Sequence, residues 1–484
     1  MTSDPAAWAI DALGETDLGD QRRRARLLQM LTDLGAQPAS GVSQACGETS
    51  ASVGTYRFWQ NPEVDPGTML ASSGRATAQR CAAAGVDPVL LVQDTTDIVP
   101  GARHRCQGLG PVNSGGDLGI KLHTTLAVSE DGLPVGVLDQ RAWTRDPDDR
   151  GRKVRRYQTP VEGKESRKWL DGLQAASARL QPEQASITVA DREADVFELY
   201  ALHQAQGGDF VIRAAQNRRL VGSAATVATA AAQLPQRGQL TVRVPRGDGR
   251  PERSATVTLR SGQVTLQPPG YQSYAKARRQ WWQDHPDVLP LVEYPLEPLT
   301  VGLVEVHEEV APDAHQPLHW RLLTTLPVAT LAEAARCIQI YRQRWMVERF
   351  HYVLKQGCRV EQLQLASVDR MERALATYSL VAWQVLWITL LSRQVPEVSC
   401  EQVVSRSTWQ ALHAHQHRTR TMPATPPDLV TFVGMLGRLG GHLGRTRDGP
   451  PGVRTLWRGW QQLTPMVVLW EALTASPPVR TTCE

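Results

Sequence analysis

Cysteine is scarce, and the arrangement of the few cysteines excludes a common kind of metal site. The seven cysteines are scattered and odd in number, and no two of them form a Cys-x-x-Cys pair. This pattern excludes the usual spacing of a structural zinc site and is unlike that of a disulfide-linked scaffold. We therefore expect a protein of a reducing compartment.

Long hydrophobic runs are absent as well. The most apolar stretch, Tyr378 to Leu391, is shorter than the roughly 20 residues that span a bilayer. It also contains the polar residues Ser379, Gln384 and Thr389, so we expect a buried helix and no membrane partner. The N-terminal residues are acidic and polar, unlike a secretory signal, and the expected location is the cytoplasm.

Several catalytic signatures are missing too. The sequence has no Walker A loop, no nucleophile-elbow serine and no His-Glu-x-x-His pair. These absences argue against a P-loop nucleotide triphosphatase, an α/β-hydrolase and a zinc peptidase. With 484 residues, 41% of them hydrophobic and 21% charged, the chain has an ordinary globular composition and room for about three domains.

Positive charge is present in clusters, although the net charge is only +4. Clusters matter more than the total because each contact with a nucleic-acid phosphate is local. The clusters are Arg22, Arg23, Arg24 and Arg26; Arg152, Lys153, Arg155 and Arg156; and Arg218 with Arg219. A solvated surface is the alternative interpretation for any one of them.

The first cluster lies in a region, residues 1 to about 70, that is predicted to be small and helical. Asp20 is a suitable N-cap for its helix, and Gly35 is expected to end it. Arginines in the first turn oppose the helix dipole, which hints at an anionic partner such as the DNA backbone. A second helix, Ser43 to Gln60, interleaves aromatic and basic residues at 56–59, which suits DNA contact or packing in a small core.

Beyond about residue 71 the pattern predicts an α/β fold. Two apolar strands each end on an acid, at Asp94 and Asp191. The predicted order of three strands, a helix, a strand, a helix and a strand is that of a ribonuclease H-like core. These elements are Pro88–Asp94, Lys121–Ser129, Pro134–Arg145, Ser166–Leu180, Ala185–Asp191, Arg192–Gln204 and Asp209–Ala215.

The rest of the chain is predicted to consist of a β-rich insertion and a helical C-terminal region. Residues 217 to about 328 contain short strands, among them Ser254–Leu259 and Gln263–Gln267, separated by glycine and proline turns. From about residue 366 the pattern is helical again, with helices at Met371–Arg393 and Trp457–Ala475.

Between the insertion and that region, Thr330 to Gly357 is predicted to form one helix, with a capping box at its start and Gly357 as its stop. Tyr341, Arg344, Glu348 and Lys355 fall at about 0°, 300°, 340° and 320° around its axis, a single narrow stripe. The stripe can be a solvated ion pair. However, apolar neighbours such as Trp345, Val347 and Phe350 favour a buried helix whose charged line faces a cleft.

If the two strands are neighbours and this helix packs beside them, Asp94, Asp191 and Glu348 converge. Three carboxylates suit Mg²⁺ or Mn²⁺. Two such ions about 3.5–4 Å apart stabilise the attacking and leaving oxygens of phosphoryl transfer. The triad alone is weak, because the chain has 49 acids and an aspartate after a strand is often a turn former.

Three segments together carry a family resemblance: Gln93-Asp94-Thr95-Thr96, Val189-Ala190-Asp191-Arg192-Glu193-Ala194-Asp195, and Tyr341-x2-Arg344-x3-Glu348-x6-Lys355. They resemble the signature of the DDE transposases of the insertion-sequence-four family, and weaker matches extend over most of the chain. The resemblance implies that Asp94, Asp191 and Glu348 are the catalytic, metal-binding acids and that they bind two Mg²⁺ ions, for which Mn²⁺ substitutes.

The resemblance also implies DNA contacts. Tyr341, Arg344 and Lys355 would hold phosphates near the cut, and Trp320 would receive a base flipped out of the duplex, although a tryptophan in the core of a sheet is the ordinary interpretation. Arg213 would line the DNA path. With Arg22, Arg23, Arg24 and Arg26, these residues form the expected DNA-binding set.

The implied activity is cut-and-paste transposition through a nick, a hairpin, its opening and strand transfer to target DNA. The implied partners are the terminal inverted repeats of the element, the target DNA and a second copy of the chain in a synaptic homodimer, in the nucleoid of a bacterial cytosol. The implied domains are a DNA-binding domain (1–70), a catalytic domain (71–365) and a helical dimerisation domain (366–484). A nuclease that does not join strands and a non-catalytic DNA-binding protein or inhibitor derived from a transposase are the alternatives.

Overall fold

Alternating apolar strands and helices after residue 88 produce one continuous mixed sheet, with helices against both faces. The structure is a computed structural model and describes residues 7–38, 40–101, 106–146, 159–244, 253–270, 275–311, 317–445 and 448–474. The basic cluster at residues 152–156 lies outside these ranges.

The helices surround the sheet and also form the two ends of the chain. In the described residues they are α1 (Ala7–Leu13), α2 (Gln21–Ala36), α3 (Val42–Cys46), α4 (Thr49–Gln60), α5 (Pro66–Ala83), α6 (Arg167–Ser177), α7 (Phe197–Gln206), α8 (Val227–Gln233), α9 (Ala275–Asp284), α10 (Leu331–Arg342), α11 (Trp345–Tyr352), α12 (Val368–Gln394), α13 (Arg406–His417), α14 (Leu429–Leu439) and α15 (Val453–Thr474).

The strands are longer than expected in several places. They are β1 (Val89–Ile98), β2 (Gly110–Pro111), β3 (Leu118–Val128), β4 (Pro134–Trp143), β5 (Ser186–Ala190), β6 (Asp209–Arg213), β7 (Gln236–Val244), β8 (Arg253–Leu266), β9 (Leu299–His307) and β10 (His319–Thr324).

The central part of the sheet has the order β4-β3-β1-β5-β6, and β10-β9-β8-β7 extend it beyond β6. The short strand β2 also pairs with β3. β1 pairs in parallel with β5 and antiparallel with β3, and α6 and α7 lie in the connections that flank β5. The α/β class and the ribonuclease H-like order are therefore confirmed. The β-rich segment is not a separate body, because β10 pairs directly with β6.

Alternate side chains of the strands supply two hydrophobic cores. Leu90 and Val92 of β1 face the core that contains α11 and α12, whereas Val89 and Leu91 face the core that contains α6 and α7. α12 is long and apolar enough to cross a membrane by length and composition, but 89% of its most apolar window is buried inside the protein. The prediction of a buried helix there is confirmed.

The first predicted helix begins as expected and ends later. Asp20 is the N-cap of α2, where its carboxylate accepts a hydrogen bond from the backbone N–H of Arg22. Gly35 lies inside the helix, so its prediction as the stop is wrong. A Cβ at Gly35 would overlap the ring of Trp8, so the glycine permits close packing of α1.

The second predicted helix, Ser43 to Gln60, is divided into α3 and α4. The division occurs at Gly47, which has a φ of 68° and is the C-cap of α3. In α4, Tyr56 and Arg57 are exposed, whereas Phe58 and Trp59 are buried. The segment at 56–59 therefore contributes two side chains to the surface and two to the core. The indole N–H of Trp59 donates to the Thr377 hydroxyl of α12 at 3.2 Å.

Two further predictions are corrected by the structure. The strands predicted at Ser254–Leu259 and Gln263–Gln267 are a single strand, β8, because β9 pairs with it without interruption from Thr258 to Leu266. The helix predicted from Arg192 starts as a 3₁₀ turn, Arg192–Ala194, and the α-helix begins at Phe197.

The C-terminal helices α14 and α15 approach each other closely through glycines. A Cβ at Gly459 of α15 would overlap the carbonyl oxygen of Leu436, and one at Gly440 would overlap that of Thr455. The backbones can therefore pack without an intervening side chain, as small residues at helix crossings allow. The buried rings of Phe432 and Trp460 lie beside this crossing, 6.0 Å apart between centroids.

We predict that Gly459→Ala destabilises the C-terminal helices, because the new methyl group must displace backbone. The expected decrease in stability is about 3 kcal/mol, the upper part of the range for an overpacked site. Thermal unfolding followed by circular dichroism measures it. Gly434→Ala on α14 is the matched control, since nothing lies within 4 Å of its added methyl group. Equal melting temperatures for the two variants would show that the crossing is not tightly packed.

Candidate active site

Parallel pairing of β1 with β5 determines the positions of the two predicted strand acids. Val92 lies opposite Val189, and Asp94 and Asp191 each follow by two residues on extended backbone. Because side chains two residues apart point to the same face of a strand, both carboxyl groups lie on the face that carries α11.

Asp94 does not end its strand as the sequence predicted. β3 pairs with β1 as far as Ile98, whereas β5 pairs with it only as far as Val92. The strand therefore continues on one edge, whereas on the other edge none of the described residues pairs with it beyond Val92. Asp94 lies at this opening, and Asp191 lies just after the end of β5.

The helix predicted over Thr330 to Gly357 begins as expected. Its capping box is confirmed: the backbone N–H of Glu333 donates to the Thr330 hydroxyl, and the backbone N–H of Thr330 donates to the Glu333 carboxylate at 2.9 Å. The continuous helix is wrong, however. α10 ends at Arg342 and α11 begins at Trp345, because Gln343 and Arg344 donate to carbonyls three residues earlier and tighten the turn.

The end of this segment also differs from the prediction. Val353–Gly357 is π-helical, closed by a hydrogen bond from the backbone N–H of Cys358 to the carbonyl of Val353. Gly357 is therefore the last residue of the helical segment, and Cys358 is its C-cap. The missing side chain of Gly357 leaves room for Trp457 of α15, whose ring would lie 3.3 Å from an added Cβ.

Despite the break, Arg344 and Glu348 face the strand acids. Arg344 Nη2 lies 2.5 Å from Glu348 Oε1, and Arg344 Nη1 lies 3.8 Å from Asp94 Oδ2. The guanidinium therefore stands between the two carboxylates. Burial would lower the pKa of Arg344, but Glu348, Tyr341 and Asp94 raise it above its usual value.

Asp94 has the most strongly altered carboxyl group of the site. Its pKa is raised to about 7, first by burial and then by the negative charge of Asp191. The backbone N–H of Thr95, which donates to Asp94 at 2.7 Å, and Arg344 oppose this rise only in part. Two partly buried acids that interact in this way favour positive charge beside them.

An open cavity of about 310 Å³ lies in front of these groups, and Lys355 lines it together with Asp94 and Glu348. Lys355 Nζ donates to the Asp97 carbonyl at 2.7 Å and lies 3.2 Å from Glu361 Oε1. The ammonium group is thus held at the cavity by groups of the protein itself.

A second group of predicted residues lies around Tyr341. Arg213 forms a hydrogen bond with the Tyr341 side chain and donates to the carbonyl of His319 at 3.2 Å. The half-buried ring of Trp320 packs edge-to-face on Tyr341, 5.7 Å between centroids. Burial raises the pKa of Tyr341, and Asp191 contributes to the rise, so this group adjoins the acids.

The basic N-terminal residues have partners within their own helix region. The Arg22 side chain, 92% exposed, pairs with Asp20 at 3.1 Å. Arg23 and Arg24 donate to the carbonyls of Leu18 and Gly14. Arg26 lies over Gly54 of α4, where it would contact an added Cβ. The fold does not bring these arginines into contact with the three acids.

Comparison with known families matches three successive parts of the chain. A transposase DNA-binding family model matches residues 5–64, a transposase DDE domain model matches residues 148–383, and the model of the transposase Tn5 dimerisation domain matches residues 380–474. The chain is a DDE transposase of the insertion-sequence-four family. The matched regions identify a DNA-binding, dimerising enzyme that cleaves and transfers DNA.

The donor set of the transposase fits a divalent cation. DDE domains generally use divalent metal ions, and the oxygens of Asp94, Asp191 and Glu348 are the hard ligands that Mg²⁺ prefers. Among the described residues no three His, Cys, Asp or Glu side chains lie close enough to hold an ion as they stand. Arg344 accounts for the wider spacing, because it lies between Asp94 and Glu348.

Some cavity residues were not anticipated. Thr95, Thr96, His351 and Tyr352 line the cavity beside the acids. His351 follows Glu348 by three residues, so its position on the same side of the helix could have been predicted from the sequence. Arg218, in contrast, belongs to the interior, because it pairs with buried Asp195 at 2.6 Å.

We predict that Asp94→Asn changes the pH dependence of stability in the absence of divalent ions. The folded-state pKa of Asp94 is raised from 3.8 to about 7, so the folded protein holds this proton more tightly than the unfolded chain does. The protonated carboxyl group therefore stabilises the folded state at low pH, and this contribution is lost as the pH rises through 7. The melting temperature of Asp94→Asn relative to that of the original protein should therefore increase from pH 4 to pH 8. A pH-independent difference would contradict the raised pKa.

Proposed function

We propose that this transposase excises and inserts its element by cut-and-paste transposition, with Asp94, Asp191 and Glu348 as its catalytic acids. The observation that carries the proposal is their placement. Asp94 and Asp191 lie side by side beyond the paired ends of β1 and β5, and Glu348 faces them across Arg344. We also propose domain limits of 1–70, 71–365 and 366–484, although α5 continues through residue 70.

The three acids would hold two Mg²⁺ ions, for which Mn²⁺ would substitute. The bound ions would supply the charge that activates water or a 3′-hydroxyl and that stabilises the leaving oxygen of an in-line displacement. The raised pKa of Asp94 supports this assignment, because ionisation of both strand acids is unfavourable until a cation is present.

The DNA phosphates at the cut would lie against Arg344, Lys355 and Tyr341. Arg344 has an acid on either side, and its planar guanidinium presents several N–H donors, which suits a phosphate. Lys355 stands at the rim of the same cavity, held by Asp97 and Glu361. These contacts would place the scissile phosphate above Asp94 and Asp191.

The reaction would proceed in four displacements. Water attacks a phosphate at the end of the element and releases a 3′-hydroxyl. That hydroxyl attacks the opposite strand and forms a hairpin, a second water opens the hairpin, and the 3′-hydroxyl attacks target DNA. Trp320, which is half-buried against Tyr341, would stack on a base flipped out as the strand bends, and Arg213 would line the DNA path.

The substrates would be the terminal inverted repeats of the element and a target duplex. Two copies of the chain would bring two ends together in a synaptic homodimer, in the cytoplasm. Exposed apolar side chains on α15, Val468, Leu469 and Leu473, support a contact between copies, because they lie in the matched dimerisation region.

We predict that Glu348→Gln abolishes cleavage while binding to the end of the element persists, because the substitution removes a charge and keeps the shape. The assay incubates protein with a DNA fragment carrying the terminal repeat, with and without Mg²⁺, and resolves the products on denaturing gels. A nick and then a hairpin at the repeat boundary are expected only with metal.

The matched control is Glu333→Gln on α10, since glutamine preserves its capping box. Retained cleavage by Glu348→Gln would overturn the assignment. Binding without cleavage by the unsubstituted protein would favour a non-catalytic DNA-binding role, and cleavage at any position would favour a plain nuclease.

We predict that replacing Arg22, Arg23 and Arg24 with glutamine weakens binding to the end of the element. In a plot of the logarithm of the affinity against the logarithm of the salt concentration, the slope should also become less steep. The change should be about one unit for each DNA phosphate that is no longer neutralised. Mobility shifts at several salt concentrations measure the slope. Arg406→Gln is the control, because the Arg406 side chain at the start of α13 is exposed. An unchanged slope in the triple variant would place the DNA surface elsewhere.

A further inference from the structure

A row of polar side chains crosses three strands at the level of Asp94. Asp94 of β1 lies opposite Thr124 of β3, and Thr124 lies opposite Gln140 of β4. Directly paired residues point to the same face of a sheet, so all three point toward α11 and α12. Thr124 and Gln140 are both buried beneath these helices. Their polar groups therefore need hydrogen-bond partners inside the protein.

The two buried residues belong to one chain of hydrogen bonds. The Ser379 hydroxyl of α12 donates to Gln140 Oε1 at 2.7 Å, and Gln140 Nε2 donates to Thr124 Oγ1 at 2.9 Å. Thr124 Oγ1 lies 3.1 Å from His351 Nε2 of α11. Four side chains from two helices and two strands are therefore connected in sequence.

The bonds of this chain can all run in one direction. Burial, followed by the nearby charge of Lys355, lowers the pKa of His351 to about 3, so the imidazole is neutral. One nitrogen of a neutral imidazole accepts, and with Nε2 as that nitrogen the Thr124 hydroxyl donates to His351 while its oxygen accepts from Gln140. In this tautomer every bond runs from α12 toward α11, and each donor has one acceptor.

Helix α11 is short, so a directional contact with the sheet adds to the constraint on its orientation. It has only eight residues, no side chain caps its first turn, and a π-helical turn follows it. The break at Gln343–Arg344 separates it from α10. Val347 and Phe350 hold it against the core, but apolar contacts permit rotation and sliding more readily than a directional hydrogen bond.

We propose that His351 is a positioning residue that sets the orientation of Glu348 relative to Asp94 through the chain Thr124–Gln140–Ser379. His351 lies one helical turn after Glu348, and both line the cavity. Thr124 is the cross-strand partner of Asp94, so the chain links the helix acid to the strand acid. The inference rests on the proposed catalytic role of Glu348.

The far end of the chain lies on α12, where the matched DDE and dimerisation regions meet at residues 380–383. Removing either end leaves a buried polar atom without its partner. Without Ser379, Gln140 Oε1 has no donor from α12, and without His351 the Thr124 hydroxyl has no acceptor on α11. A buried polar atom without a partner costs more free energy than the loss of one hydrogen bond alone, because it has also lost its contact with water.

The first experiment compares His351→Gln with His351→Asn. Glutamine can place its carbonyl oxygen where His351 Nε2 lies, whereas asparagine is too short to reach Thr124. We expect His351→Gln to nick the element end within about threefold of the unsubstituted rate. His351→Asn should be slower by roughly ten- to hundredfold, the effect of a misplaced catalytic group.

Two readouts separate positioning from folding. The Mg²⁺ concentration for half-maximal nicking should rise in His351→Asn, and the Mg²⁺-induced increase in melting temperature should shrink. Binding to the element end should remain unchanged in both variants. Equal nicking rates and equal Mg²⁺ dependence for the two variants would overturn the proposal. It would also be overturned if His351→Asn had a lower melting temperature in the absence of Mg²⁺ and this loss of stability fully explained its slower nicking.

A second pair of variants tests the far end of the chain. Ser379→Ala should raise the Mg²⁺ requirement several-fold in the same direction as His351→Asn. Ser392→Ala on the same helix is the matched control, because that buried hydroxyl donates to the Thr389 carbonyl of its own helix. Identical behaviour of the two alanine variants would overturn the role of the chain. Glu348→Gln, assayed in parallel, tests the proposed function separately, since its retained activity would remove that premise alone.

Discussion

The proposed active site depends on two carboxylates that repel each other and are nevertheless held side by side. Asp94 and Asp191 occupy equivalent positions after Val92 and Val189, and the parallel register of β1 and β5 determines that spacing. The sheet continues through β3 on one side and β6 on the other, so neither strand can move away to relieve the repulsion. Burial and this repulsion together raise the pKa of Asp94, and the Arg344 guanidinium opposes the rise.

The second half of the site comes from a helical segment that is less constrained than the sheet. Arg344 lies at the break between α10 and α11, where the backbone departs from regular α-helix. This break turns Glu348 and Arg344 toward Asp94 without requiring a long straight helix to lie across the sheet. The two strand acids are thus positioned by the sheet, whereas Glu348 is positioned by a helix. The distances among the three acids depend on the contacts between that helix and the sheet.

Much of this arrangement follows from local rules that a sequence displays. The capping box at Thr330, the two-residue alternation of β1 and the acids after Val92 and Val189 depend on neighbours in the chain, so they could be predicted. The extension of β1 to Ile98 depends on β3, and the position of Gly35 depends on the Trp8 ring. Such features arise from contacts between distant segments, which no local pattern contains.

The buried chain from Ser379 to His351 shows what a polar network can add beneath a sheet that carries the proposed catalytic acids. Apolar side chains at Thr124 and Gln140 would fill the space without demanding partners, and their burial would stabilise the core at least as well. A hydrogen bond, however, has a direction and a narrow range of lengths, so it specifies one orientation of α11 among several that apolar packing allows. Thr124 is also the cross-strand partner of Asp94. The same residue therefore contacts the strand that carries Asp94 and, through His351, the helix that carries Glu348. The geometry of the three acids is therefore determined by the strand register on one side and by a buried hydroxyl on the other.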